Sequence, residues 1–222
     1  MDFYRLFLNK KSVSRACIWR LRSFLLWSCV ICFSVAGAES AELQSPATLV
    51  KNIRQGGYVL YLRHTASDRT QTDIDTINFD DCSKQRVLTA EGRVQARAIG
   101  EAIRVLNIPI GTVTTSPYCR CVDTAQLAFE RGEKSNDLRF TISTNKQETQ
   151  QLADALKTKL ATVPTAGTNT VLVAHSSNLR EAAGLWPKPE GVMHVFKPLG
   201  EEGFEHLGRI TPDQWQALTR AE

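Results

Sequence analysis

Two histidines and two arginines stand at or shortly after the ends of short apolar or β-branched runs, which are typical of buried strands. In chain order these side chains are Arg63, His64, Arg120 and His175. The carboxyl ends of parallel strands meet at one edge of a sheet, and α/β proteins bind their ligands beyond that edge. We therefore expect the two imidazoles and the two guanidinium groups to lie close together in the folded chain.

Imidazole and guanidinium groups in one place predict a site that binds and transfers a phosphoryl group. A phosphoryl group carries negative charge on three oxygens, and a planar guanidinium can donate to two of them at once. A neutral imidazole nitrogen is a competent nucleophile, so the transfer can proceed in two easier steps. A second imidazole, when protonated, can donate to the same oxygens near neutral pH.

The segments between these side chains alternate predicted strands and helices. Apolar and β-branched runs predict strands at 57–62, 113–115, 140–143, 170–174, 192–196 and 204–210. Helical spacing and capping residues predict helices from Thr89 to Pro109, at 118–129, 148–160 and 177–184, and from Thr211 onward. This alternation predicts an α/β domain with a largely parallel sheet. Residues 63–88 are polar and irregular, which is typical of a functional loop.

The first forty residues differ in composition from the rest of the chain. A basic segment precedes an apolar run at 24–35, and the small residues from Ala36 to Ala38 follow. Together these features predict a secretory signal peptide over residues 1–38, cleaved before Glu39, and a single domain over residues 39–222. The alternative is an uncleaved membrane anchor, although the run is shorter than the roughly 20 residues that a spanning helix needs.

Without this segment the chain carries almost no net charge. The chain has 27 Lys and Arg and 23 Asp and Glu residues; the first 38 residues hold six and one of these, so the remainder has a net charge of −1. A basic surface for nucleic acids is therefore not expected. We expect a periplasmic or secreted protein with no stable membrane span after cleavage. The sequence leaves the oligomeric state open.

Three cysteines follow the predicted signal peptide: Cys82, Cys119 and Cys121. An exported protein meets an oxidising compartment, so a disulfide is permitted. Cysteines one residue apart rarely pair because the bridge would be strained. A bridge from Cys82 to Cys119 is favoured, and one from Cys82 to Cys121 stays open. The spacing fits no zinc-binding pattern, and we expect neither a metal nor a cofactor.

Four segments resemble, in the same order, signature segments of the histidine phosphatase superfamily, which also contains the phosphoglycerate mutases. They lie at 62–65, 88–96, 115–125 and 171–175. The resemblance extends from about residue 57 to 215 and implies a phosphoglycerate mutase-like fold. In that fold helices cover both faces of a mostly parallel sheet, which gives a three-layer sandwich.

The resemblance also implies an activity and its residues. His64 accepts the phosphoryl group, and Arg63, Arg120 and His175 bind its oxygens. The implied enzyme is a metal-independent phosphomonoesterase with a phosphohistidine intermediate, acting on a small or sugar phosphate.

Three further residues are expected to contact the substrate. The backbone N–H of Ser176 follows His175 and adds a donor to the phosphoryl site. Thr65 stands where many members have glycine, so a hydroxyl replaces close backbone contact there. Arg86 lies in the long polar loop and is placed to guide an anionic substrate.

The proton donor for the leaving group has three candidates: Glu148, Glu190 and Asp123. A general acid must lie within hydrogen-bonding reach of the leaving oxygen. The resemblance favours Glu148, because the acid of the family often follows the signature segment that here lies at 115–125.

A narrower resemblance concerns the natural substrate. The segment at 81–86, the pair Cys119-Arg120 and the ending from Gly203 to Trp215 resemble exported lipopolysaccharide core heptose phosphatase-like proteins. The implied substrate is a phosphate on lipopolysaccharide. Two alternatives stay open: a phosphosugar mutase, and an exported protein that binds phosphate ligands without turning them over.

Overall fold

Six strands form one sheet in this computed structural model, which describes residues 43–74 and 78–220. The strands are β1 (Val59–Arg63), β2 (Ile110–Thr115), β3 (Glu133–Lys134), β4 (Asn169–Ala174), β5 (Met193–Pro198) and β6 (Phe204–Ile210). The α-helices are α1 (Pro46–Ile53), α2 (Ala90–Val105), α3 (Cys119–Phe129), α4 (Lys146–Ala161), α5 (Ser176–Ala183) and α6 (Pro212–Arg220). None of the described helices is long and apolar enough to cross a membrane. The signal peptide predicted at 1–38 lies outside the described residues.

The sheet is mostly parallel, as the sequence predicted. Its strands lie in the order β3-β2-β4-β1-β5-β6. The first four of these run parallel to one another, whereas β5 is antiparallel to both of its neighbours, β1 and β6. Only residues 199–203 separate β5 from β6, and a parallel crossover needs a dozen or more residues, so these two strands form a hairpin.

Alternate side chains of the central strands pack on opposite faces of the sheet. On β1, Leu60 and Leu62 join an apolar core that contains residues of α1, α2, α3 and α6. Val59 and Tyr61 join a second core that contains residues of α4 and α5. Strands buried on both faces are apolar almost throughout, which explains why β1 gives such a clear sequence signal. The predicted three-layer sandwich is confirmed.

The start of α2 packs directly against the segment that follows His64. Thr89 is the N-cap residue, and its hydroxyl accepts the N–H of Gly92 at 3.0 Å. The N–H of Thr89 in turn donates to the carbonyl oxygen of Ala66 at 3.1 Å. A Cβ atom on Gly92 would lie 1.9 Å from that same oxygen, so only glycine permits this approach. The helix start predicted at Thr89 therefore also positions the backbone of the site.

The strand predicted at 140–143 is wrong. Residues Thr141–Ser143 form a short 3₁₀ helix. The described residues contain three others, Cys82–Lys84, Asn136–Leu138 and Gly200–Glu202. The β-branched residues Thr141 and Ile142 favour a strand locally, but Ile142 is 65% exposed and pairs with no strand. The turn leads instead to Asn145, which caps α4 by accepting the N–H of Glu148 at 2.9 Å.

A disulfide joins Cys82 to Cys119, which confirms the favoured pairing. It ties the polar loop after β1 to the first residue of α3, next to Arg120. Gln85 reinforces the same junction, because its side-chain oxygen accepts the N–H of Cys119 at 3.0 Å. Cys121 is a free, buried thiol.

Replacing Cys82 and Cys119 together with alanine will lower the free energy of unfolding by about 4 kcal/mol, the loop-closure entropy of a cross-link this long. The bridge spans a sequence separation of 37 residues. Urea denaturation followed by circular dichroism measures the loss. Reduction of the unmodified chain is the control, since it must reproduce the effect. An unfolding midpoint that neither treatment moves would contradict the bridge.

Candidate active site

The register between β1 and β4 places His64 beside His175. Arg63 pairs with Ala174 in this parallel ladder, and the N–H of His64 donates to the carbonyl oxygen of Ala174 at 3.0 Å. The two imidazole rings lie edge to face with their centroids 5.5 Å apart. On the other side of β4, the N–H of Ser116 donates to Val173. Three neighbouring strands thus deliver side chains to one point at their carboxyl ends.

His64 presents a free, neutral nitrogen. Its Nδ1 lies 3.0 Å from the carbonyl oxygen of Thr65. A carbonyl only accepts, so Nδ1 carries the proton and the lone pair is on Nε2. Burial and, after it, the positive charge of Arg120 hold the pKa of His64 well below its ordinary value. A neutral imidazole with an unprotonated Nε2 is the form that can attack phosphorus.

His175 is also neutral in the free protein, and both of its ring nitrogens have partners. The Nη2 of Arg120 lies 3.2 Å from Nδ1, and since a guanidinium only donates, Nδ1 accepts. The proton is then on Nε2, which donates to the hydroxyl of Ser116 at 2.8 Å. Burial, then Arg120 and His64, lower the pKa of His175 well below its ordinary value. The protonated second imidazole considered from the sequence is therefore not the resting form.

Arg120 is fully buried at the centre of the site. Its Nη1 forms an ion pair with Asp73 at 2.9 Å, while its Nη2 contacts His175. The guanidinium carbon lies 4.7 Å from the ring centroid of Tyr118 and 5.4 Å from that of Phe140. Its Nε is buried and has no hydrogen-bond partner among the described residues. The guanidinium is thus held in place, and the N–H of its Nε is not engaged.

Arg63 is oriented by the segment between α5 and β5. Its Nη1 donates to the carbonyl oxygen of Pro187 at 3.0 Å and its Nη2 to Glu190 at 3.1 Å. The hydroxyl of Ser67 donates to the same Glu190 oxygen at 3.0 Å. Glu190, one of the three predicted proton donors, therefore lies within the site.

A cavity of about 900 Å³ opens beside these residues, and its lining includes Arg63, Arg86, Ser176 and Glu190. Ser176 is the first residue of α5, and in the described part of the chain no side chain caps that helix. The N–H groups of its first turn are available to an anion. Arg86 is half-buried, and its backbone N–H donates to Asp73 at 3.0 Å. The structure thus brings the predicted Ser176 and Arg86 to the same cavity as Arg63.

Thr65 is placed differently from the expectation. It is fully buried, and its hydroxyl lies 3.2 Å from the hydroxyl of Thr124. Thr124 in turn donates to the carbonyl oxygen of Arg120 at 2.7 Å. The Thr65 side chain therefore ties the end of β1 to α3, and it is absent from the residues that line the cavity.

Two of the predicted proton donors lie away from the cavity. Glu148 forms an ion pair with Arg139 and lines a separate cavity at the start of α4. Asp123 forms an ion pair with Arg93 at 2.9 Å on α2. Sequence analysis did not single out Asp73, the acidic partner of Arg120, because it lies in an irregular segment with no periodicity.

The neutral state of the two imidazoles gives a direct prediction. In the free protein, the rings of His64 and His175 will stay unprotonated as the pH falls through 6.5, the ordinary value for histidine. Both pKa values are lowered because burial and the positive charge of Arg120 disfavour the imidazolium. Ring-nitrogen shifts from ¹H–¹⁵N NMR measure this, and Arg120→Met should move both titrations to higher pH. Protonation of either ring at or above pH 6.5 in the unmodified chain would contradict the assignment.

The family model for the histidine phosphatase superfamily (branch 1) matches residues 59–139. No curated protein matches the chain. A candidate alpha-ribazole-5'-P phosphatase from Escherichia coli K-12 MG1655 is 12% identical, with a TM-score of 0.53 over 71% of this chain and 98% of that one. The protein histidine phosphatase SixA with tungstate is 13% identical, with a TM-score of 0.48 over 70% and 97%. A mycobacterial glucosyl-3-phosphoglycerate phosphatase with inorganic phosphate is 16% identical, with a TM-score of 0.47 over 71% and 99%.

At 12% identity the Escherichia coli structure shows a similar fold and no more, and it supports the predicted phosphoglycerate mutase-like architecture. The family model covers both His64 and Arg120, which the fold brings together with His175. Over residues 59–139 the chain is therefore similar to the histidine phosphatase superfamily.

Proposed function

We propose that this protein hydrolyses phosphomonoesters by transferring the phosphoryl group first to Nε2 of His64 and then to water. The observation that carries the proposal is the free lone pair on a buried, neutral His64, 5.5 Å from His175 and close to the buried Arg120. A nucleophile and an anion clamp in one buried place are what two-step phosphoryl transfer requires.

The first step forms a P–N bond and breaks the P–O bond of the ester. The lone pair of Nε2 attacks phosphorus, and the alkoxide leaves with a proton from a general acid. The Nδ1–H of His64 keeps its hydrogen bond to Thr65 and so stabilises the positive charge that the ring acquires. In the second step water attacks phosphorus, the P–N electron pair returns to Nε2, and inorganic phosphate leaves.

The clamp binds the oxygens on which negative charge is spread. Arg120, the imidazole of His175 and the first N–H groups of α5 are its donors. A bound phosphate dianion raises the pKa of His175, because opposite charges favour the imidazolium. The neutral ring of the free protein can then take up a proton when the ligand enters.

We assign the proton transfer to Glu190, because of the three proton donors predicted from the sequence it is the one that lines the cavity. Glu190→Gln should lower kcat for glycerol 3-phosphate by about 10²-fold. For p-nitrophenyl phosphate the loss should be much smaller, because p-nitrophenolate leaves without a proton. Equal losses for both esters would mean that Glu190 acts only by holding Arg63.

The activity itself is tested with the full-length chain in EDTA. We expect release of inorganic phosphate from p-nitrophenyl phosphate and from glycerol 3-phosphate. A mutase would instead return a positional isomer of a sugar phosphate, and a binding protein would take up phosphate without turnover of any ester. Either of those results, or activity that EDTA abolishes, would contradict the proposal.

The location and the natural substrate are further parts of the proposal. The basic segment and apolar run of residues 1–38 support export to the periplasm or the medium. The segment at 81–86 and the pair Cys119-Arg120 support a lipopolysaccharide heptose phosphate as substrate. N-terminal sequencing of the exported protein should begin at Glu39, and phosphorylated core oligosaccharide should release phosphate. A retained N-terminus, or a core oligosaccharide that stays phosphorylated, would contradict the respective part.

A further inference from the structure

The cavity beside the phosphoryl site is larger than a phosphoryl group needs. Its volume of about 900 Å³ is in the range of sites that enclose whole small molecules, roughly 300–1,000 Å³. Most of the charged side chains that line it are cationic. Five cationic residues and one carboxylate line it: Arg63, Arg69, Arg86, Lys188, Arg209 and Glu190.

The one carboxylate does not balance these charges. Glu190 lies 3.1 Å from Arg63 and 3.8 Å from Arg69, so its charge is shared between those two. Lys188 and Arg209 form no ion pair with any described residue. Uncompensated cations that line a cleft raise the local concentration of anions.

These two cations lie together on the outer wall of the cavity, which we define as Trp186, Lys188 and Arg209. The Nη1 of Arg209 donates to the carbonyl oxygen of Lys188 at 3.2 Å. The Nζ of Lys188 lies 5.5 Å from the ring centroid of Trp186. The guanidinium carbon of Arg180 lies 5.1 Å from the same centroid, so two cations already stack on the indole, which is 41% exposed. The outer wall therefore combines two cations, Lys188 and Arg209, with an aromatic side chain.

We propose that Lys188 and Arg209 form a second anion subsite, so that the substrate is a phosphomonoester with a second anionic group. This rests on the proposed function, because the first anion is the ester phosphate held near Arg120. The second group lies against Lys188 and Arg209, and the connecting part of the molecule occupies the cavity between the two anion sites.

Binding to the full-length His64→Ala variant, measured by calorimetry, tests the subsite without turnover. The probes are glucose 1,6-bisphosphate and glucose 6-phosphate, which differ by one phosphate. We expect the bisphosphate to bind at least about tenfold more tightly, since a charged hydrogen-bonding partner is gained. Adding Lys188→Gln and Arg209→Gln should remove most of that preference. Arg97→Gln is the matched control, because Arg97 is exposed on α2 outside this cavity, and it should leave the preference intact.

The outcomes separate this proposal from the one on which it rests. Equal affinity for both probes, or a preference that survives the double substitution, overturns the subsite. A preference that Arg97→Gln also removes would show general attraction by net charge and overturns it as well. If the unmodified chain releases phosphate from neither probe while the preference is present, the subsite stands and the proposed hydrolysis fails.

Discussion

Replacing His64 with alanine will lower kcat/KM for phosphomonoesters by about 10⁴-fold or more, the scale of loss when a covalent nucleophile is removed. The reason is specific to this ring. Its Nδ1 proton is committed to Thr65, which leaves Nε2 as the attacking atom. His175 cannot take over, because its one lone pair is on Nδ1, where it accepts from Arg120. Steady-state hydrolysis of p-nitrophenyl phosphate by the full-length chain measures the effect.

The His64→Ala variant should lose turnover but still bind phosphate. Arg63, Arg120 and His175 are unchanged in it, so we expect phosphate to bind within about tenfold of its affinity for the unmodified chain. His206→Ala is the matched control, because His206 contacts His194 and the carbonyl of Gly208 and does not line the cavity. It should retain its activity. Comparable turnover by His64→Ala would remove the histidine from the mechanism.

Replacing Arg120 with methionine will lower kcat/KM by about 10³-fold, the effect of deleting a preorganised donor to the transition state. Methionine keeps the apolar stem against Tyr118 and Phe140 but leaves His175 and Asp73 without their partner. The free energy of unfolding should fall by about 2 to 3 kcal/mol, less than for a fully buried pair because the Asp73 side chain is 15% exposed. Kinetics and urea denaturation of the same preparation measure both losses.

An exposed ion pair of the same length provides the control. Arg93 and Asp123 lie 2.9 Å apart, but their side chains are 42% and 33% exposed. Arg93→Met should therefore cost less than about 1 kcal/mol and leave turnover unchanged. Equal losses of stability from the two substitutions would mean that burial does not strengthen the Arg120 contact. Full activity of Arg120→Met would contradict its place in the clamp.

The positions of the two site histidines, His64 and His175, were predictable because strands carry a strong local signal. β1 and β4 are buried on both faces, so they appear in the sequence as apolar runs. The residue after each run lies at the carboxyl end of its strand, where α/β proteins bind ligands. The register of the two strands then brings His64 and His175 together. The start of α2 was predictable for a similar reason, since the cap at Thr89 is a local feature.

The parts that sequence analysis misplaced depend on contacts between distant segments. Glu148 follows the signature segment at 115–125, yet it forms an ion pair with Arg139 and lines a separate cavity. Thr65 follows His64 directly, yet its side chain packs on Thr124 of α3. Asp73 reaches Arg120 across 47 residues of chain, and no local pattern indicates that contact.

Phe140 also lies in a segment whose conformation depends on a contact with a distant residue. Its segment has the composition of a strand, but its ring centroid lies 4.9 Å from that of His175. Packing against the site, rather than pairing in the sheet, determines its conformation. A preference of four residues is too weak to compete with such a contact.

Trapping the intermediate tests the central claim most directly. The full-length chain is mixed with p-nitrophenyl phosphate, quenched in alkali, where phosphohistidine survives, and analysed by peptide mass spectrometry. The account predicts a burst of one p-nitrophenol per active chain and a phosphoryl group on the peptide that contains His64, lost on acid treatment. Steady turnover with no such label, or with the label on another residue, would contradict it.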